Sequence, residues 1–155
     1  MLITAKSDYG LRAALHLSRS GSRQTVHQIA QAQRIPEKLC AQIMRRLVNK
    51  GIARSKAGRE GGYSLAREAR LISVASVLEA ADRGVCIFKC VGNPGICEFS
   101  ENCTLRAALG SFADAIGCYL EKLSVEDMKQ GKPALPAFAA ASAQAPAQVA
   151  EGVSA

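Results

Sequence analysis

Four of the six cysteines in this 155-residue sequence lie close together, at Cys86, Cys90, Cys97 and Cys103. The stretch that carries them, CIFKCVGNPGICEFSENC, contains Gly, Pro and Asn, as is typical of a loop. Thiols gathered on a loop bind a metal, form disulfides or respond to oxidants. The CxxC pairs of structural zinc sites and the spacings of ferredoxins are both missing, so the spacing indicates a metal or redox loop without naming the metal.

The N-terminal stretch MLITAKSDYGLR has no apolar segment of the kind found in signal peptides. No part of the sequence reaches the roughly 20 apolar residues that a bilayer span needs. We therefore expect a cytoplasmic protein with no membrane partner. Structural disulfides are rare in that compartment, which disfavours the disulfide interpretation. Cys40 and Cys118, which lie apart from the cluster, are expected to be small core residues.

Charge divides the chain into two halves. Residues 1–70 contain 14 Lys/Arg and 4 Asp/Glu, a net +10, whereas residues 71–155 contain 6 and 9, a net −3, which together give +7. A basic front half joined to an acidic back half predicts a polyanion-binding module followed by a second function.

Three regions are predicted along the chain. They are a winged helix-turn-helix DNA-binding region at 1–72, a cysteine loop with a dimerisation helix at 73–128, and a disordered tail at 129–155. Residues 131–155 contain ten Ala and three Pro and almost no charge, which is why disorder is expected there.

Three helices are predicted within the first fifty residues, at 4–20, 25–33 and 36–50, from apolar periodicity, Gly and Pro boundaries. Thr25 and Gln28 have the spacing of a capping box at the start of the second. The third helix has two faces. Its apolar stripe consists of Leu39, Cys40, Ile43, Met44 and Leu47, and its polar stripe of Lys38, Gln42, Arg45 and Asn49.

This pair of short helices predicts a helix-turn-helix whose second helix reads DNA in the major groove. Gln42 and Arg45 are of the types that contact base edges, with Lys38 on the same stripe. Arg46 and Lys50 are predicted to meet phosphates. The alternative is an ordinary solvated helix face.

The segment IARSKAGREGGYSLA predicts two strands joined by a Gly-rich tip. Arg54, Lys56 and Arg59 make this hairpin basic, so it is expected to act as a wing that contacts phosphates or the minor groove. A nucleotide-binding loop is excluded because its glycines do not follow a strand and open a helix. The expected fold class is mainly α with a small β-hairpin wing.

The back half is predicted to contain a helix that Ser73 caps and Gly84 closes, then the cysteine loop, then a long helix over 104–123. Leu105, Leu109, Phe112, Ile116, Tyr119 and Leu123 alternate steps of four and three along the long helix. That repeat is typical of a two-helix seam. We expect a homodimer that binds a palindromic operator in double-stranded DNA, the alternative being packing within one chain.

With these motifs in place, residues 1 to about 128 resemble the Rrf-two family of bacterial winged-helix regulators. The resemblance lies in the start SDYGLRAALHLS, the stretch IMRRLVNKGI, the wing GREGGYSLA and three spaced cysteines before a long helix. It implies a homodimer with one iron–sulfur cluster per subunit, held by Cys90, Cys97 and Cys103.

The resemblance also bears on the fourth ligand. IscR-like members use a His three residues after the last cysteine, where this chain has Arg106. NsrR-like members use an Asp on the first helix of the partner subunit, a position that Asp8 matches. Cys86 is the rival fourth ligand. Three cysteines plus Asp8 favour a 4Fe–4S cluster, with 2Fe–2S as the alternative.

We therefore expect a DNA-binding regulator, most simply a repressor, that senses nitric oxide or redox and iron–sulfur status. A second hypothesis is a thiol switch without metal, using Cys86 and Cys103. A third is an iron or iron–sulfur biogenesis regulator. No catalytic constellation is found, so neither an enzyme nor a small-molecule substrate is expected.

Overall fold

Seven α-helices and one β-hairpin follow each other along the chain in a computed structural model that describes residues 4–58, 60–82, 88–98 and 103–131. The helices are α1 (Ala5–Ser20), α2 (Val26–Gln33), α3 (Glu37–Asn49), α4 (Val74–Ala81), α5 (Lys89–Gly92), α6 (Thr104–Lys122) and α7 (Val125–Gln130). The strands are β1 (Ala53–Lys56) and β2 (Gly62–Leu65), and 3₁₀ turns span Ala69–Leu71 and Pro94–Ile96. The predictions for Arg59, Gly84, Cys86 and the tail beyond residue 131 lie outside the described residues.

The first two helices begin and end at the residues that the sequence predicts. Thr4 caps α1 through its side chain, and Gly21 ends α1 in the left-handed region at φ 63°. The predicted capping box of α2 is confirmed, because Thr25 Oγ1 accepts from the Gln28 amide while Gln28 Oε1 accepts from the Thr25 amide. Such caps satisfy amides that the helix itself leaves without partners.

The tight turn between α2 and α3 gives the predicted helix-turn-helix. Arg34 ends α2 with φ 52°, a left-handed conformation, and the Ile35 amide donates to the Ala30 carbonyl at 2.9 Å. Pro36 then precedes the first residue of α3. The predicted apolar stripe faces inward, with Cys40, Ile43, Met44 and Leu47 each at most 1% exposed.

The hairpin is antiparallel, with pairs running from Ala53 opposite Leu65 to Lys56 opposite Gly62. It is joined to the helices by a bridge in which Gln24 and Tyr63 exchange amide–carbonyl bonds of 2.9 and 2.8 Å. A Cβ at Gly62 would lie 2.8 Å from the Gln24 carbonyl oxygen, and φ there is 139°, so this position requires glycine. The predicted fold class, mainly α with a β-hairpin wing, is confirmed.

One continuous core lies among α1, α2, α3 and α4. Its largest fully buried side chains include Ile29, Ile43, Met44, Leu47, Ile52, Ile72, Val77 and Val125. Burial of each such side chain contributes about 1.5–3 kcal/mol. The core runs across the predicted boundary between residues 72 and 73, because Val77 of α4 and Val125 of α7 belong to it.

Helix α7 was not predicted as a separate element. Ser124 opens it with a second capping box, in which the Ser124 side chain accepts from the Asp127 amide and Asp127 accepts from the Ser124 amide. The helix packs against α1 and against the 3₁₀ turn Ala69–Leu71. Lys129 and Gln130 complete its last turn, so ordered chain continues past the predicted start of the tail at 129.

Candidate nucleic-acid interface and cysteine segment

The outward face of α3 carries the residues predicted to read DNA. Lys38, Gln42, Arg45 and Asn49 are all exposed, while the opposite face of the same helix is buried in the core. A rigid helix that offers one cationic and amide-bearing face matches what major-groove recognition needs. The core holds this face in place because α3 packs on α1, α2 and α4.

The hairpin adds two exposed cations on the strand that follows α3. Arg54 and Lys56 both lie on β1, and Arg54 Nε donates to Ser64 Oγ on β2 at 3.1 Å. That bond crosses the hairpin and orients the guanidinium, whose remaining N–H groups stay available to an acceptor such as a phosphate oxygen.

Two other basic residues of α3 turn towards α4. Arg46 Nη1 donates to the Ala81 carbonyl at 2.8 Å and lies 3.9 Å from Asp82 Oδ1. Lys50 Nζ lies 2.8 Å from Glu79 Oε1, and this hydrogen bond and the Lys50 charge lower the pKa of Glu79. Both residues were predicted to contact phosphates, and the structure gives both a partner within the protein.

Three of the clustered cysteines are described, each on a different short element. Cys90 lies in α5, Cys97 follows the 3₁₀ turn Pro94–Ile96, and Cys103 is the N-cap of α6. All three are free thiols of intermediate burial. The Cys103 sulfur accepts the Arg106 amide at 3.4 Å, so it sits at the positive end of the α6 dipole, which stabilises an anionic sulfur.

Among the described residues, no group of three or more His, Cys, Asp or Glu side chains lies close enough to hold a metal ion. The structure thus places Cys90, Cys97 and Cys103 in one segment between α4 and α6 but does not gather them at a point.

Asp8, the predicted fourth ligand, is exposed in the first turn of α1. Its Oδ2 lies 3.6 Å from Arg12 Nη1, one turn along the helix. Arg12 also donates from Nη2 to the Gln33 carbonyl at the end of α2 and lies over the Tyr9 ring, 5.7 Å from its centroid. The carboxylate is therefore oriented by a guanidinium that is itself tied to the helix-turn-helix.

The two cysteines outside the cluster differ from each other. Cys40 is a core residue, as predicted, and burial together with the Glu37 charge raises the pKa of its thiol to about 11. Cys118 is exposed on α6 in the single chain, so the prediction of a core position is wrong for it.

Residues 3–131 match a family model described as "Rrf2: Iron-dependent Transcriptional regulator". The chain belongs to the Rrf2 family. It is 29% identical over 137 residues to the HTH-type transcriptional regulator IscR of Xenorhabdus nematophila, covering 87% of this chain and 83% of that protein. It is 30% identical over 138 residues to the protein rrf2 of Nitratidesulfovibrio vulgaris, covering 88% and 92%.

The structure of CymR, the global cysteine regulator of B. subtilis, has the same fold, with a TM-score of 0.69 at 22% identity over 86% of this chain and 99% of that one. As an Rrf2-family member, this chain is a DNA-binding transcriptional regulator and not an enzyme. Within its described part, no helix is long and apolar enough to span a membrane.

Proposed function

We propose that this Rrf2-family regulator carries an iron–sulfur cluster and acts as a homodimer on a palindromic operator, repressing transcription in response to nitric oxide or redox and iron–sulfur status. One observation carries the proposal. Three free, half-buried thiols lie between the DNA-binding core and α6, a long helix that buries none of its residues in the single chain. A cysteine segment in that position can report to both.

The donor set suits an iron–sulfur cluster in its chemistry. Cys90, Cys97 and Cys103 would hold the cluster as thiolates, and the α6 N-terminus would stabilise the charge at Cys103. The bound cluster would supply iron centres that react with nitric oxide or oxidants. Burial of the three sulfurs is intermediate, so small molecules can reach them while bulk water is partly excluded.

Asp8 would supply the fourth ligand from the partner subunit, which favours a 4Fe–4S cluster over 2Fe–2S. Its exposed carboxylate stands on α1, where a second chain can approach it. Arg12 would hold the carboxylate in its anionic form by charge and proximity. Cys86 is the alternative ligand.

The homodimer is supported by the surface of α6. Leu105 and Phe112, one heptad apart, are 63% and 52% exposed, while Leu109, Ile116 and Tyr119 are only half-buried. Large apolar side chains exposed in a row mark an interaction surface. A second copy of the same helix would cover both residues by symmetry.

DNA would be read by Lys38, Gln42 and Arg45 in the major groove, with Arg54, Lys56 and Arg59 of the hairpin on phosphates or in the minor groove. Gln42→Ala should weaken binding to the preferred sequence more than binding to random duplex, because an amide that contacts base edges carries sequence information. Equal losses on both duplexes, measured by fluorescence anisotropy, would remove Gln42 from the reading set.

A metal-free thiol switch is the second candidate. It is favoured by the absence, within the described residues, of any assembled group of three metal-ligating side chains. Under this candidate the anaerobically purified protein is colourless, and DNA binding responds to oxidation of the cysteine thiols.

The experiment that separates the two compares Cys97→Ser with Cys118→Ser, which alters an exposed cysteine outside the segment. Anaerobic absorption, Mössbauer spectroscopy and iron counts should show a cluster in wild type and in Cys118→Ser and its loss in Cys97→Ser. A cluster that persists in Cys97→Ser contradicts the three-cysteine site. A colourless wild-type protein contradicts the cluster itself.

A further inference from the structure

The carboxyl end of α4 joins three elements just before the cysteine segment begins. Arg46 of α3 donates to the Ala81 carbonyl at 2.8 Å and lies 3.9 Å from Asp82 Oδ1. The other carboxylate oxygen, Asp82 Oδ2, accepts from Thr4 Oγ1 at 2.8 Å. Since Thr4 is the N-cap of α1, a single carboxylate is bonded to the recognition helix and to the start of the helix that carries Asp8.

Close packing makes this junction rigid. Ala81 is fully buried, and a Cβ built on Gly10 of α1 would lie only 2.4 Å from the Ala81 Cβ. Helices α1 and α4 therefore touch backbone to methyl at this point. Neither helix can shift here without displacing the other.

The position of Asp82 needs a physical reason, because a carboxylate at the carboxyl end of a helix opposes the helix dipole. Arg46 offsets this by binding both the terminal carbonyl of α4 and the carboxylate. The Asp82 side chain is only 19% exposed, so its charge is screened less than that of a surface pair.

A second link between α3 and α4 serves as a contrast. Lys50 and Glu79 approach to 2.8 Å, but their side chains are 56% and 65% exposed, and such exposed pairs contribute little. This pair reaches neither α1 nor the residue that leads into the cysteine segment. It tests the same interhelical contact without the junction.

We propose that Arg46, Asp82 and Thr4 form a positioning link that passes the state of the cysteine segment to the recognition helix and to the start of α1. The proposal rests on the proposed function above. Asp82 is the last described residue before that segment, so a change of its ligands or thiols pulls directly on this carboxylate. Arg46 is then a positioning residue that acts through α3 and not a phosphate contact.

The test measures the ratio of DNA affinities between two states of the full-length protein. One state is the anaerobically purified protein, and the other is the same protein after treatment with a nitric oxide donor or, if it is colourless, with diamide. The probe is the duplex that wild type selects from a random pool. For wild type we expect a ratio of about 30- to 150-fold.

Asp82→Asn should keep the wild-type absorption spectrum and reduce this ratio to less than about five-fold. Asp82→Glu, which restores a carboxylate, should recover part of the ratio, and Glu79→Gln should leave it unchanged. A full ratio in Asp82→Asn overturns the positioning link while its spectrum leaves the cluster intact. A wild-type protein with no cluster spectrum and no response to diamide overturns the proposed function, and the link with it.

Arg46→Met keeps the aliphatic stem and provides a second test if Asp82→Asn fails to fold. A positioning residue predicts a reduced ratio with an unchanged salt dependence of binding to random duplex. A phosphate contact predicts the reverse, a full ratio and a salt slope that falls by about one per site. The second result overturns the proposal.

Discussion

Helices α4 and α6 are both rich in apolar residues, yet one is buried and the other is bare. Helix α4 has 8 residues, and Val74, Val77, Leu78, Ala80 and Ala81 are buried. Helix α6 has 19 residues and buries none of them, although it contacts α4 and α5. Apolar content alone therefore does not decide where a helix lies.

The difference shows that the two helices complete different structures. Helix α4 fills a core that a single chain already closes with α1 and α3. Helix α6 presents Leu105 and Phe112 to solvent, and an apolar stripe of that kind needs another surface to stabilise it. The single chain is complete around its DNA-binding helix and incomplete along α6.

The largest expected effect comes from placing a charge on the bare face of α6. Phe112→Glu should raise the dimer dissociation constant by about 10²- to 10⁴-fold, because each buried Phe contributes about 1.5–3 kcal/mol and a symmetric dimer contains two. Sedimentation equilibrium measures the change. The control, Ala107→Glu, adds the same charge at an exposed position on the opposite side of α6. Equal dissociation of the two variants would contradict the assigned face.

Cys40 and Cys118 allow the same comparison to be made with thiols. A raised pKa of about 11 for Cys40 predicts iodoacetamide alkylation at pH 8 at least about 100-fold slower in the native protein than in urea, since the thiolate is the nucleophile. Cys118 is the internal control and should react readily in both. Mass spectrometry of timed samples decides, and rapid native labelling of Cys40 would show that the core opens easily.

The Cys40 shift also predicts a pH dependence of stability. A raised folded-state pKa means that the native state holds the thiol proton more tightly than the unfolded chain, whose pKa is near 9. The contribution is therefore complete below pH 9 and is lost as the pH rises through about 11. Urea unfolding should show a decline in this window that Cys40→Ala lacks.

Two glycines give opposite expected results on the two sides of the comparison. Gly10→Ala places a Cβ 2.4 Å from the Ala81 Cβ and should destabilise the protein by about 1–3 kcal/mol, as overpacked cores do. Thermal unfolding and urea midpoints measure it. A neutral effect would mean that α1 and α4 are not held in close contact.

Gly110→Ala is expected to have the smallest effect, and of the opposite sign. A Cβ there meets nothing within 4 Å in the single chain, so the substitution should stabilise α6 by about 0.5–1 kcal/mol. The dimer dissociation constant should stay unchanged, because Gly110 lies away from the Leu105 and Phe112 face. Weaker dimerisation would place the glycine in the interface.

Local signals made much of the front half predictable. Caps at Thr4 and Thr25, the left-handed Gly21 and the two faces of α3 depend on residues within a few positions of each other. Helix α7 carries such a signal too, the Ser124 and Asp127 capping box, but six residues are too few to show helical periodicity.

Long-range contacts explain what the sequence pattern could not predict. Arg45 and Arg46 are adjacent cations, and only the position of α4 shows that Arg46 points at the Ala81 carbonyl while Arg45 stays exposed. The seam of α6 has one period, yet Phe112 is more exposed than Ile116, because contact with α4 covers only one side of that helix. A repeat indicates that two surfaces meet but not which two.

The way in which α6 ends has a mechanical consequence. Ser73 and Ser124 form a backbone bridge, and the Val125 amide donates to the Ile72 carbonyl at 2.9 Å, so the carboxyl end of the helix is clamped to the core. With 19 residues, α6 is a strut about 28 Å long. Pivoting such a strut by about 10° displaces its far end by about 5 Å, more than the rise of one base pair. The cysteine segment adjoins that far end, so a small rearrangement there is levered into a misfit between two DNA-reading heads and their half-sites.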